Sequence, residues 1–263
     1  MDNRPIGIFD YGIGGITVLK ELQNVLPDEN FIYFGDTLNF PYGNKTKEQI
    51  ISFSNKIVKY LMLQNVKMII IACGTATSQA LEELKKKYNI YIEGIIEPTV
   101  NYIKKMGIKK IGVIGTKGTI QSRAWEIKLK KQIPDIEVIN KACPLLAEIA
   151  EEGEAKTQKS IDTIHEYMKI FKEKKINTII LGCTHYPIFD EIIKKEFDYN
   201  VNLINTGKMV AKKVKQILEL NNIKNDGKKS DLKIVISKNE INFEERAKKI
   251  LKSTKKLDIT YFY

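Results

Sequence analysis

Cysteine is scarce in this chain, with only Cys73, Cys143 and Cys183 among 263 residues. Three are too few for a disulfide framework and none forms a CxxC pair, which points to reduced thiols. Histidine is scarcer still, with His165 and His185 alone, so a zinc site lacks ligands and no metal is expected. No run of about 18 uncharged apolar residues occurs, which excludes a membrane-spanning helix. The opening MDNRPIGIFD has neither the basic stretch nor the apolar run of a secretory signal, so the expected address is cytoplasmic. Walker spacing and GxGxxG are both absent, so the glycine-rich loop at 12–15 does not read as a nucleotide cradle.

What is present is a globular composition, 43% hydrophobic and 29% charged, with 43 Lys+Arg against 32 Asp+Glu and a formal net charge of +11. A basic balance raises nucleic acid as a partner. The lysines, however, are interspersed with Glu and apolar residues at 82–87 and across 224–256, as on solvated helix faces. No aromatic-interleaved basic strand or recognition helix accompanies them, so no nucleic-acid partner is expected.

Short apolar runs alternate with longer amphipathic ones. The patterning predicts strands over 5–9, 30–34, 68–72, 91–96, 110–114, 137–140, 178–181, 202–205 and 232–237. It predicts helices over 13–26, 46–64, 78–87, 99–106, 120–132, 159–174, 208–221 and 239–253. Runs such as MIII and TIIL suit strands buried on both faces of a mainly parallel sheet, and the alternation implies an α/β fold. A weak repeat refines this. Ile6-Gly7-Ile8-Phe9-Asp10 resembles Ile111-Gly112-Val113-Ile114-Gly115, and Ile70-Ile71-Ala72-Cys73-Gly74-Thr75 resembles Ile180-Leu181-Gly182-Cys183-Thr184. Two pseudo-symmetric α/β domains would produce it, with the active site in the cleft between them. The expected division is 1–96 plus 208–263 for the first domain and 97–207 for the second.

In open α/β sheets ligands sit beyond the carboxyl ends of the strands. Asp10, Cys73, Thr116 and Cys183 fall at such ends. A Cys beside a helix N-terminus is a candidate thiolate, because the helix dipole and free N–H groups favour its charged form. Two thiols facing one cleft suit inversion of a carbon centre, one removing a proton while the other returns one to the opposite face. Without a cofactor such a site must stabilise carbanion charge with fixed donors, for which backbone amides and Thr hydroxyls are suited. Asp10 could instead cap the glycine-rich turn and the helix that follows, and His185 could be a hydrogen-bonded structural residue. Cys143, His165 and Trp125 read as packing or surface positions.

Taken in order, residues 6–15 (IGIFDYGIGG), 33–37 (YFGDT), 41–43 (PYG), 73–77 (CGTAT), 97–98 (EP) and 181–187 (LGCTHYP) resemble the cofactor-independent glutamate racemases of the aspartate/glutamate racemase superfamily. The resemblance implies an isomerase that interconverts L- and D-glutamate for peptidoglycan, needs no cofactor and commonly forms a homodimer. Carried over by position, Cys73 would take the α-proton from D-glutamate with help from Asp10. Cys183 would take it from L-glutamate, served by His185 and Glu151. Pro41, Tyr42, Gly43, Thr75, Thr119 and Thr184 match pocket positions. Tyr11 and Gly74 also fall at substrate-binding positions, where the family usually has Ser and Asn, which implies an altered pocket. Racemisation of another amino acid such as aspartate, a non-catalytic amino-acid-binding protein, and a thiol redox or metal protein are the alternatives. Substrate competition, absence of α-proton exchange, and a Cys73–Cys183 disulfide or stoichiometric zinc would respectively mark them.

Overall fold

The computed structural model describes residues 1–225, 227 and 230–262, so Lys228 and Lys229 of the basic stretch lie outside it. Among the described residues, two parallel sheets organise the chain. The larger contains β1 (Ile6–Asp10), β2 (Phe31–Gly35), β3 (Met68–Ile71), β4 (Ile92–Gly94), β9 (Leu232–Ile236) and β10 (Asp258–Tyr261). The smaller contains β5 (Lys110–Gly115), β6 (Glu137–Ala142), β7 (Thr178–Leu181) and β8 (Asn202–Asn205). Their orders are β10-β9-β2-β1-β3-β4 and β6-β5-β7-β8. Every pairing is parallel. The segment β2-β1-β3-β4 therefore has the same order as β6-β5-β7-β8. The sequence repeat maps β1 onto β5 and β3 onto β7.

The central strands β1, β2, β3 and β7 are buried throughout, which is why their sequences run apolar without alternation. The helices are α1 (Gly15–Val25), α2 (Lys47–Leu63), α3 (Gly74–Lys87), α4 (Ile96–Met106), α5 (Lys117–Gln121), α6 (Ala124–Gln132), α7 (Pro144–Glu151), α8 (Gln158–Glu173), α9 (Asp190–Lys195), α10 (Thr206–Leu220) and α11 (Phe243–Leu251). None is long and apolar enough to cross a membrane, among the described residues. One apolar cluster joins the inner faces of both sheets through α1, α4 and α10. A second packs α2 and α3 on the larger sheet, and a third packs α7 and α8 on the smaller.

Four differences from the sequence expectation have physical causes. Helix α3 starts at Gly74 and not at 78, because its first turn is buried all round and shows no amphipathic period. The expected helix 120–132 breaks at Arg123, whose φ of 53° lies in the left-handed region. Helix α7 opens on Pro144 at its first position, where a missing N–H costs nothing. Strand β10 is short and half exposed, and pairs only with β9 at the sheet edge. Not every lysine is on a solvated face: Lys67 is buried, 2.6 Å from buried Glu29, and donates to the carbonyls of Asp2 and Ile223.

Candidate active site

The topology brings the carboxyl ends of β1, β3, β5 and β7 to one seam between the sheets. Cys73 follows β3 as the cap of α3, where its sulfur accepts the Ala76 N–H at 3.3 Å. Burial and the nearby Asp10 charge push the Cys73 thiol well above its usual pKa, opposed by the backbone N–H groups of Ala76 and Thr75. Cys183 follows β7 at the equivalent point of the smaller sheet. At the seam the two backbones nearly touch. A Cβ on Gly74 would overlap the Gly182 carbonyl oxygen, so position 74 holds no side chain at this separation of the sheets.

Asp10 ends β1 and is fully buried. One carboxylate oxygen accepts the Tyr11 N–H at 2.8 Å, and the other accepts the Thr184 hydroxyl from across the seam at 2.7 Å. Burial raises its pKa to about 6, against the lowering influence of His185 and these two donors. A carboxyl poised there can exchange a proton near neutral pH. Asp10 thus closes the turn through Tyr11 N–H and reaches the seam through Thr184, while α1 is capped at Gly14 without a side chain.

His185 is buried between three partners. Its Nε2 lies 2.6 Å from Glu151 Oε1, and its Nδ1 lies 3.5 Å from Cys183 Sγ and 3.4 Å from the Tyr11 hydroxyl. Burial works against its charged form, but contact with Cys183 and Glu151 outweighs it and holds the imidazole well above its usual pKa. Glu151 is the last residue of α7, and its Oε1 also accepts the Ile13 N–H at 2.9 Å. The glycine-rich loop makes room for this. A Cβ on Gly12 would strike Glu151, and one on Gly14 would strike Thr184 and His185. Carboxylate, imidazole and thiol thus stand in line, an arrangement that can orient and supply a proton at sulfur.

Tyr11 lies inside this constellation. Its ring centroid is 5.2 Å from Tyr42, 5.6 Å from Phe40 and 5.5 Å from His185, and its hydroxyl is 3.7 Å from Cys183 Sγ. Burial and the Cys183 and Asp10 charges push its phenol well up, so it stays protonated as a donor. On the Cys73 side, Thr75, Thr116 and Thr119 bring three buried hydroxyls within 2.8–3.2 Å of one another. Thr116 caps α5 and Thr75 lies in the first turn of α3, so hydroxyls and free N–H groups converge there.

The other expected pocket residues are placed less directly. Tyr42 turns its hydroxyl to Asp36 at 2.6 Å and offers Tyr11 its ring. Gly43 abuts Thr116, where a Cβ would come within 2.9 Å of the Thr116 Cβ. Pro41 follows a cis peptide bond and is half-buried. Outside Gly43 opens a cavity of about 640 Å³ lined by Lys45, Lys47, Lys117, Ser78 and Gln79 among others, with no acidic residue. Cys143 is buried at the foot of α7, His165 is exposed beside Glu196 at 2.8 Å, and Trp125 packs in the shared core. Two further residues at the seam differ in how far the sequence points to them. Thr116 is marked by its strand-end position alone, without a motif, whereas Arg246, which contacts Glu151, sits unremarked in a lysine-rich helix.

Comparison with known proteins gives a consistent set of matches. The profile of the Asp/Glu/hydantoin racemases matches residues 16–214. Glutamate racemase 2 of Caldanaerobacter subterraneus subsp. tengcongensis is 40% identical over 261 residues, 98% of this chain and 96% of that protein. Glutamate racemase of Bacillus cereus is 38% identical over 249 residues, 94% and 93% of the two chains. The crystal structure of glutamate racemase from Francisella tularensis subsp. tularensis in complex with D-glutamate superimposes with a TM-score of 0.93 at 34% identity, covering 100% of this chain and 98% of that one.

Proposed function

The chain belongs to the Asp/Glu/hydantoin racemase family and is an amino-acid racemase, and from that premise we propose that it interconverts L- and D-glutamate with Cys73 and Cys183 as its two bases. The observation that carries this reading is the equivalence of the two thiols. Each follows the same strand of a repeated β-order, and each has a carboxylate behind it: Asp10 for Cys73, and Glu151 through His185 for Cys183. The named relatives and the D-glutamate held by the Francisella protein support glutamate as substrate.

In the D-to-L direction Cys73 removes the α-proton and the Cys183 thiol protonates the opposite face; in the reverse direction they exchange roles. Asp10 assists Cys73. His185, oriented by Glu151, returns protons to Cys183. The Thr75, Thr116 and Thr119 hydroxyls and the N–H groups of the adjoining helix starts hold carboxylate and carbanion charge. Thr184 keeps Asp10 in place, and the basic cavity outside Gly43 receives an acidic substrate. No cofactor enters this scheme. We read 1–96 with 208–263 and 97–207 as the two lobes that close on the substrate, in a cytoplasmic homodimer that supplies D-glutamate to peptidoglycan.

One observation favours a second reading. The Tyr11 ring fills space beside both cysteines, and position 74 has no side chain to offer the ligand. Less room beside the thiols favours a smaller acidic amino acid, aspartate. Proton NMR of L- and D-glutamate in heavy water, with metal-free protein and no added cofactor, decides. Loss of the α-proton with conversion to the other enantiomer, abolished by Cys73→Ser or Cys183→Ser, is the expected result. Silence on glutamate with turnover of aspartate establishes the second reading. Silence on both leaves an amino-acid-binding protein.

A further inference from the structure

The Cys183 side of the site is closed by a residue from the far end of the chain. Arg246 projects from α11, and one terminal nitrogen donates to the Glu151 main-chain carbonyl and lies 3.3 Å from Glu151 Oε2. Its other terminal nitrogen is 3.1 Å from Glu240 Oε2. Helix α11 packs against α1, the helix that follows the glycine-rich loop, and that loop supplies the Ile13 N–H to Glu151 Oε1. Glu151 is therefore fixed at three points. Arg246 takes Oε2 and the backbone, while Oε1 is left for Ile13 and His185.

We propose that Arg246 is a positioning residue for proton transfer at Cys183, holding Glu151 so that its Oε1 faces His185 Nε2 and the imidazole Nδ1 faces the sulfur. The inference rests on the racemase reading above. The charged and titratable groups around this line are Cys183, Tyr11 and Asp10 on the seam side and Glu240 and Arg246 on the outer side. Burial and the facing Glu151 charge raise the Glu240 pKa, and Arg246 lowers it. Without the guanidinium, two partly buried carboxylates would confront one another. Glu151 would be free to turn away from His185 about its last side-chain bond. The fork of Arg grips carboxylate and carbonyl together, which the point charge of Lys cannot reproduce.

The two half-reactions allow a test that separates this role from general loosening. Deuterium at the substrate α-carbon slows removal by Cys183 when the substrate is L, and removal by Cys73 when it is D. Wild type, Arg246→Met and Arg246→Lys would be assayed with α-protiated and α-deuterated L- and D-glutamate, with circular dichroism to confirm folding. The expected result for Arg246→Met is a 10–100-fold fall in kcat with little change in KM, the range for outer hydrogen-bond partners of functional side chains. Its α-deuterium effect should rise with L-glutamate and fall with D-glutamate, because the Cys183 step becomes more limiting. Arg246→Lys should fall between. Unchanged rates, or a loss that leaves both isotope effects at their wild-type values, overturn the Arg246 role while the racemase reading stands. A wild type silent toward both enantiomers overturns the glutamate reading on which the inference rests, and the inference with it.

Discussion

His185 and Glu151 meet at 2.6 Å between Nε2 and Oε1, the imidazole fully buried and the carboxylate partly so, across 34 residues of sequence. Against burial, contact with Cys183 and this pairing together hold the imidazole pKa well above its ordinary value of 6.5. A basic group raised by folding contributes stability that is fully present below its unfolded pKa and lost as pH rises through the folded one. Glu151→Gln should therefore destabilise by about 1–3 kcal/mol at pH ~6, and by progressively less at alkaline pH. Melting curves across pH would show the gap to wild type narrowing upward. A constant gap would mean that the imidazole is not charged in the folded protein.

Asp10 presents the opposite balance. Its pKa is raised from 3.8 to about 6, so the buried carboxylate is a cost that begins as pH passes above the unfolded value and is complete above the folded one. A shift of that size corresponds to about 3 kcal/mol as an upper figure. Asp10→Asn should raise the melting temperature by a few degrees at pH ~7.5 and leave it unchanged near pH 3. The same substitution should lower kcat by about 10²–10⁴-fold, the usual worth of an acid/base group. A less stable variant at pH 7.5 would contradict the pKa assignment.

Gly74 sits where a Cβ would overlap the Gly182 carbonyl. Neither backbone can yield cheaply, so Gly74→Ala should cost about 1–3 kcal/mol as an overpacked contact. It should also part the two cysteines and depress kcat. Denaturant midpoints and turnover measured on the same preparation test both halves of the expectation.

The Lys67–Glu29 pair lies far from the thiols and links Asp2, Ile223 and β3. Lys67→Met leaves a buried carboxylate unpaired and should cost about 3–5 kcal/mol. Activity per folded molecule should be unchanged at a temperature where the variant remains folded. A loss of kcat there would tie this pair to the site.

Lys45 and Lys117 line the approach to the threonine cluster without acidic neighbours in the cavity wall. Replacing both with Gln should lower kcat/KM for glutamate several-fold at low ionic strength, through KM. The difference should vanish near 0.5 M salt, where the screening length is only a few ångströms. A salt-independent loss would indicate direct contact with the substrate instead of steering.

Much of this was legible before any coordinates. Buried parallel strands advertise themselves as apolar runs, as TIIL does, and the expected bounds of β7 match the structure; those of β8 match too, although in NLIN only Ile204 is buried. Cys73, Cys183, Asp10 and His185 carry short motifs fixed to strand ends, and topology alone delivers strand ends to one place. Glu151 came from the family resemblance alone, since the periodicity marks no helix over 144–151, where α7 lies. Arg246 was not, since nothing in FEERAKKIL marks one cation among several as turned inward. The consequences of Tyr11 and Gly74 were equally hidden. Which neighbour a ring stacks on, and whether a carbonyl blocks a Cβ, depend on how two sheets approach, a relation with no local signature.

The identical order of β2-β1-β3-β4 and β6-β5-β7-β8 gives each half of the molecule one thiol at the seam, Cys73 after β3 and Cys183 after β7. A half acting by itself could wash isotope in and out of one face of a bound amino acid, and its handedness would never change. On the two-thiol reading, loss of chirality is a property of the join and not of either partner. Whatever varies the angle between the halves tunes inversion separately from proton exchange.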